Sequence, residues 1–205
     1  MIHVTRRQVL RSAAAGSLLL PFAPLFGAAV PKLSLATFQV DITTPLGHPL
    51  CGGWIKPAEV IDAPLQGLGG ILLGAGEPIV LMVLDWCELN NEGNRLWREG
   101  IAKAAGTTSQ RVAIQCVHPH NAPIADVAVE KLLQKKFHKT MGLNLEFFDG
   151  LVKKSEVAVK DALKQAKPVT HIGTGQAKVE QVASNRRIIG PDGKIKYWRG
   201  SAAKE

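Results

Sequence analysis

Pro78-Ile-Val-Leu-Met-Val-Leu-Asp85 is the stretch on which the fold turns. Six consecutive apolar residues, three of them β-branched, predict a central strand covered on both faces, as in α/β layers. Upstream, 67–74 reads as a second strand, and Gly74-Ala-Gly-Glu-Pro78 as the turn that joins the two. Further upstream, 33–41 has apolar residues at near-alternate positions and reads as another strand. Downstream, 94–105 predicts a helix stopped by Gly106. A polar turn, Thr107-Thr-Ser-Gln110, then leads into a strand over 111–117. Strands alternating with helices predict an α/β fold: a mixed sheet with flanking helices. Helices follow over 127–137 and 145–166, the second with an apolar stripe through Leu151, Val152, Val159, Ala162 and Leu163 and a stop at Pro168. A strand is expected at 169–177 and a hairpin at 188–198 around Pro191-Asp-Gly193.

The chemistry concentrates where two of these strands end. The strand over 111–117 runs into Val117-His-Pro-His-Asn-Ala-Pro123. If the strand pleat continues, His118 and His120 point to one side, which would make half of a zinc site; otherwise they are two polar loop residues. Asp85 lies at the exit of the apolar strand, where a site carboxylate or a helix cap is expected. The intervening loop Ile42-Thr-Thr-Pro-Leu-Gly-His-Pro-Leu-Cys-Gly-Gly53 is too rich in proline and glycine for regular structure and is long enough to shape a site. It contains His48, whose isolated position reads most simply as packing or surface.

Composition narrows the classes. The 205 residues are 46% apolar and 20% charged, a globular balance. The net charge of +8 invites a nucleic-acid reading. Three of those charges are Arg6, Arg7 and Arg11. The lysines of 153–164 are interleaved with Glu156 and Asp161, which makes a solvated face, and no nucleic-acid motif is present. Three cysteines (Cys51, Cys87 and Cys116) form no Cys-x-x-Cys pair, which excludes a cysteine zinc cluster. A pairing of Cys87 with Cys116 stays open. Gly173-x-Gly175 has no third glycine at dinucleotide spacing, so no nucleotide loop is assigned. Asn185-Arg186-Arg187 is either an anion clamp or a pair of surface ion-pair partners.

Residues 1–29 read as an export signal. Thr5-Arg-Arg-Gln-Val-Leu10 precedes an apolar run over 13–26 and small residues at 27–29, resembling a twin-arginine leader. The run is too short and proline-broken to predict a stable membrane span. The mature part is expected to be exported, periplasmic or secreted.

Several pieces then occur in a telling order: Asp41-Ile-Thr-Thr-Pro-Leu-Gly47, Leu84-Asp85, Val117-His-Pro-His-Asn-Ala-Pro123, and Asn185-Arg-Arg187 with its Pro-Asp-Gly turn. Together they resemble the N-terminal part of the neutral/alkaline, non-lysosomal ceramidase-like family. The resemblance covers 33–205 and implies that 30–205 is the N-terminal half of a zinc-hydrolase catalytic domain. It implies zinc-assisted hydrolysis of an N-acyl amide bond, with an acyl-amide or lipid-like small molecule as substrate. His118 would be a zinc ligand, and His120 a second ligand or a residue orienting substrate or water. A role for Asp85 in fixing an imidazole from the outer shell is inferred beside that resemblance. Pro119 and Asn121 stand where the family usually has threonine and serine. The family's further histidine, glutamate and tyrosine ligands and its serine-containing stretch have no counterpart here, and His48, His171 or Glu88 would replace them only by coincidence of folding. The alternative is a truncated, non-catalytic relative that needs a partner chain, with association through exposed sheet edges. A metallo-β-lactamase-type His-x-His-x-Asp-His site is ruled out by Ala122 and Pro123.

Overall fold

The computed structural model describes residues 33–74, 76–180 and 185–200. The export leader read at 1–29 lies outside them. The chain divides into two compact units at Thr170/His171.

The first unit is a five-stranded mixed sheet with helices. Strands β1 (Ser34–Asp41), β2 (Gln66–Leu73) and β3 (Ile79–Leu84) run antiparallel to their neighbours, while β5 (Val112–Cys116) lies parallel to β3. The two-residue β7 (Lys167–Pro168) closes the far edge, giving the order β5-β3-β2-β1-β7. A second, two-stranded parallel sheet joins β4 (Glu88–Asn90) to β6 (Ile124–Asp126). Helices α1 (Asn91–Ala105), α2 (Val127–Phe137) and α3 (Leu145–Leu163) complete the unit. Gly106 ends α1 in the left-handed conformation, as a C-terminal glycine should. The mixed α/β class expected from the sequence is the class found.

One face of the sheet makes the core. Ala36, Phe38 and Val40 of β1, Ile71 of β2, Val80, Met82 and Leu84 of β3 and Val112 of β5 pack with Trp97 and Ile101 of α1 and Phe148, Leu151 and Val159 of α3. Trp86, Trp97 and Phe148 meet edge to face or tilted; Trp86 and Trp97 are 5.4 Å apart at 80°. Both buried indoles find acceptors, Trp86 on the Ile42 carbonyl (3.1 Å) and Trp97 on Ser155 Oγ (3.0 Å), as buried N–H groups must.

The two-face burial expected of β3 is not observed. Leu81 and Leu68, on the opposite face, are 52% and 50% exposed. A continuous apolar run does not distinguish two covered faces from one covered face and one apolar open one. The strand expected at 169–177 is also replaced. Ladder pairing stops at Pro168, apart from one further bond from Val169 N–H to Leu33 O, and Ile172 lies exposed. Pro168 offers no N–H and Gly173 and Gly175 bury no side chain, so little holds a strand there. Helix α3 ends at Leu163, three residues before the predicted end at 166.

The second unit contains the predicted hairpin: β8 (Arg187–Ile189) pairs with β9 (Ile195–Trp198). Asp192 Oδ1 accepts the Lys194 N–H at 3.1 Å, and Gly193 takes the positive φ that the turn needs. The Arg187 guanidinium lies over the Trp198 ring, 4.8 Å from its centroid. That cation–π contact engages Arg187 in a way that neither sequence alternative named.

Two features of the first unit give direct tests. Gly69 faces Phe38 across β2 and β1, and a Cβ there would lie 2.1 Å from the ring. Gly69→Ala is expected to cost about 1–3 kcal/mol and to be partly rescued in a Phe38→Leu background, as thermal melts of the single and double variants will show. Glu130 of α2 is fully buried. Burial opposes its charge, but hydrogen bonds from Thr140, Gln134 and the Met141 and Leu143 N–H groups outweigh it and hold the carboxyl below the usual value. Because the folded value is the lower one, its stabilisation is present above the unfolded value and fades as pH falls through the folded one. Glu130→Gln should therefore cost about 1–3 kcal/mol in denaturant titrations at pH 7, with the difference narrowing as pH falls from the unfolded value through the folded one.

Candidate metal centre

The site is built where β3 and β5 end. Their parallel register places Leu84 beside Cys116, so the segments leaving both strands emerge at one edge of the sheet. Backbone bonds then stitch those segments together. Val117 N–H reaches Leu84 O (3.1 Å), His118 N–H reaches Trp86 O (3.2 Å), and Cys87 N–H reaches Pro123 O (3.0 Å). The proline-rich loop joins from a third side, through Cys51 N–H to Ala122 O at 2.8 Å.

Strand β5 stops at Cys116, so His118 and His120 do not sit on a pleat. His118 instead adopts the left-handed conformation, with φ 64°. That is a strained choice for a residue other than glycine, although histidine tolerates it better than most. The two rings nevertheless come together, with centroids 5.2 Å apart, and both line one cavity of about 280 Å³. Cys51, Cys87, Glu88, Ile124 and Met141 share its wall, and Trp54, 89% exposed, stands at its rim. Met141 is carried there by the 140–143 segment that Glu130 clasps.

The donor chemistry converges on His118. Cys87, Glu88 and His118 each bring one potential ligand atom within 4.8 Å of the others. Nδ1 of His118 lies 2.9 Å from the Cys87 carbonyl oxygen, 3.6 Å from Cys87 Sγ and 3.9 Å from Glu88 Oε1. Cysteine sulfur, imidazole and carboxylate together suit zinc or a similar borderline cation rather than magnesium or calcium. Burial, then the adjoining Cys51 thiol and the charge of Glu88, push the Cys87 thiol up to about 12. Cys116, also raised by burial and Glu88, sits at about 11.

The other candidates fall elsewhere. Asp85 Oδ2 accepts the Gln66 N–H at 2.9 Å, while Asp85 N–H donates to Gln66 O, a reciprocal pair that fixes the start of β2. The carboxylate beside His118 is that of Glu88. His48 is buried, and its Nδ1–H donates to the Pro49 carbonyl at 2.8 Å. His171 belongs to the second unit. Cys87 Sγ faces Cys51 Sγ at 3.8 Å, so the thiol beside Cys87 is Cys51. Cys87 carried one trace in the sequence: it stands three residues past β3, as His118 stands two past β5, and only the parallel register makes those positions neighbours.

No protein-family model matches the chain, and no curated protein does. The fold itself has solved counterparts. A neutral ceramidase from Pseudomonas aeruginosa matches with a TM-score of 0.54 at 13% identity, over 67% of this chain and 22% of the ceramidase. A ceramidase complexed with C2 matches with a TM-score of 0.51 at 14% identity, over 67% of this chain and 22% of its own. The chain thus spans 22% of the length of these ceramidases, and what it shares with them is a ceramidase-like fold.

Proposed function

We propose that this chain is the N-terminal part of an exported, zinc-dependent hydrolase of N-acyl amide, ceramide-like bonds. One observation carries the reading: His118 and His120 share a single cavity at the sheet edge of a fold that is similar to that of ceramidases. Export rests on the leader sequence at 1–29. A zinc ion held at this edge supplies Lewis-acid polarisation of an amide carbonyl and acidifies water.

The chain's own residues do the rest. His118 holds the cation, its backbone N–H tied to the Trp86 carbonyl. His120 faces the same cavity and orients the amide or the attacking water by hydrogen bonding. The apolar parts of Ile124, Met141 and Trp54 favour an acyl chain over a sugar or a nucleotide. Asp85 acts at a distance, by fixing the strand exit from which Cys87 and Glu88 project.

The test uses the full chain, zinc analysis and a fluorogenic N-acyl amide. His118→Asn keeps a residue that accepts the left-handed backbone. It should leave the melting temperature near that of the wild type while zinc affinity falls by more than the ~10–100-fold typical of losing an outer-shell partner. His120→Asn should retain zinc and lose turnover. Zinc bound with no amide hydrolysis in the wild type would select the non-catalytic alternative. Zinc held equally well by His118→Asn would remove the ligand assignment.

A further inference from the structure

We propose that Cys87 is a thiolate ligand of the metal, completing with His118 Nδ1 and the Glu88 carboxylate a three-donor site that leaves His120 free to face the substrate. This rests on the metal reading above and adds a donor to it. The argument is geometric. With Zn–S near ~2.3 Å and Zn–N or Zn–O near ~2.0–2.2 Å, two donors on one tetrahedral ion stand ~3.6 Å apart for sulfur and nitrogen and ~3.3–3.4 Å apart for nitrogen and oxygen. Cys87 Sγ and His118 Nδ1 are 3.6 Å apart. Glu88 Oε1 is 3.9 Å from the same nitrogen, on a half-exposed side chain that closes the difference by rotation. A cation at that point takes the place of the Nδ1 proton, which already points into a ring of acceptors: the Cys87 carbonyl, the Cys87 sulfur and Glu88.

Three protein donors and one open position form the arrangement that a hydrolytic zinc requires. One neighbour suits a bound sulfur: Cys51 Sγ, 3.8 Å from Cys87 Sγ, is placed to donate its S–H to it, as outer-shell donors do for metal ligands. Sulfur in the donor set also selects zinc, cobalt or copper over magnesium and calcium. His120, absent from the converging triad, keeps its ring for the substrate side.

The experiment is a Co²⁺ titration of the full chain, read by absorption spectroscopy. Thiolate ligation produces an intense near-ultraviolet sulfur-to-cobalt charge-transfer band, which imidazole and carboxylate ligands do not. The band is expected in the wild type, retained in a Cys51→Ser/Cys116→Ser double variant and absent in Cys87→Ser. Glu88→Gln should keep the band and weaken cobalt binding about 10-fold or more. If Cys87→Ser does not fold, the double variant still decides, because Cys87 is then the one thiol left. Cobalt bound in the wild type without the band overturns this proposal and leaves the His118 reading standing. A band lost in the double variant transfers the ligation to another thiol and likewise overturns it. No cobalt uptake overturns both.

Discussion

The parallel pairing of β3 with β5 is the constraint on which the rest of this molecule depends. Every other neighbour in the main sheet is antiparallel. The β3–β5 pair demands a crossover, which α1 supplies, and it alone brings two chain exits to the same edge. Once Leu84 and Cys116 are in register, Leu84 O and Trp86 O accept from the N–H groups of 117 and 118 respectively, and the short β4–β6 sheet extends the same parallel sense. The helical layer serves that pairing. Trp97 and Phe148 fill the space beneath Trp86, so the segment bearing Cys87 and Glu88 rests on packed aromatic rings.

Much of this frame was legible in the residues. β1, the β2–β3 hairpin, α1 to α3 and the Pro-Asp-Gly hairpin each have local patterns strong enough to read. The failures share a cause: they depend on contacts remote in sequence. β4 and β6 are three residues each and exist through each other. The open face of β3 is as apolar as the covered one, so Leu81 and Val80 look alike until the helices are placed. The strand geometry assigned to His118 and His120 gave the right neighbours for the wrong reason, since a left-handed turn brings the rings together. Glu130 lies within a correctly read helix, yet nothing local marks it as the buried carboxylate that gathers 140–143.

At the candidate centre, the histidines stood out in sequence, whereas the thiols and Glu88 did not. Histidines two apart draw attention at once; a cysteine and a glutamate on another strand exit acquire meaning only by proximity. Asp85 shows the converse. A carboxylate at a strand end has the position of a functional group, but its oxygen is engaged by the Gln66 N–H, and the residue three places on is the one beside the imidazole. The solved ceramidases share the fold at 13–14% identity, too distant for side chains to be transferred on likeness alone. The site therefore has to be argued from its own donors.

Trp54 has a consequence of a different kind. The chain has four tryptophans; Trp86 and Trp97 are sealed in the core and hydrogen-bonded there, while Trp198 lies in the second unit beneath a guanidinium. Trp54 alone borders the cavity, almost fully in water. Its emission is a native optical gauge of that mouth: an acyl chain settling beside it will shift the fluorescence to the blue, while the two core indoles hold the background constant.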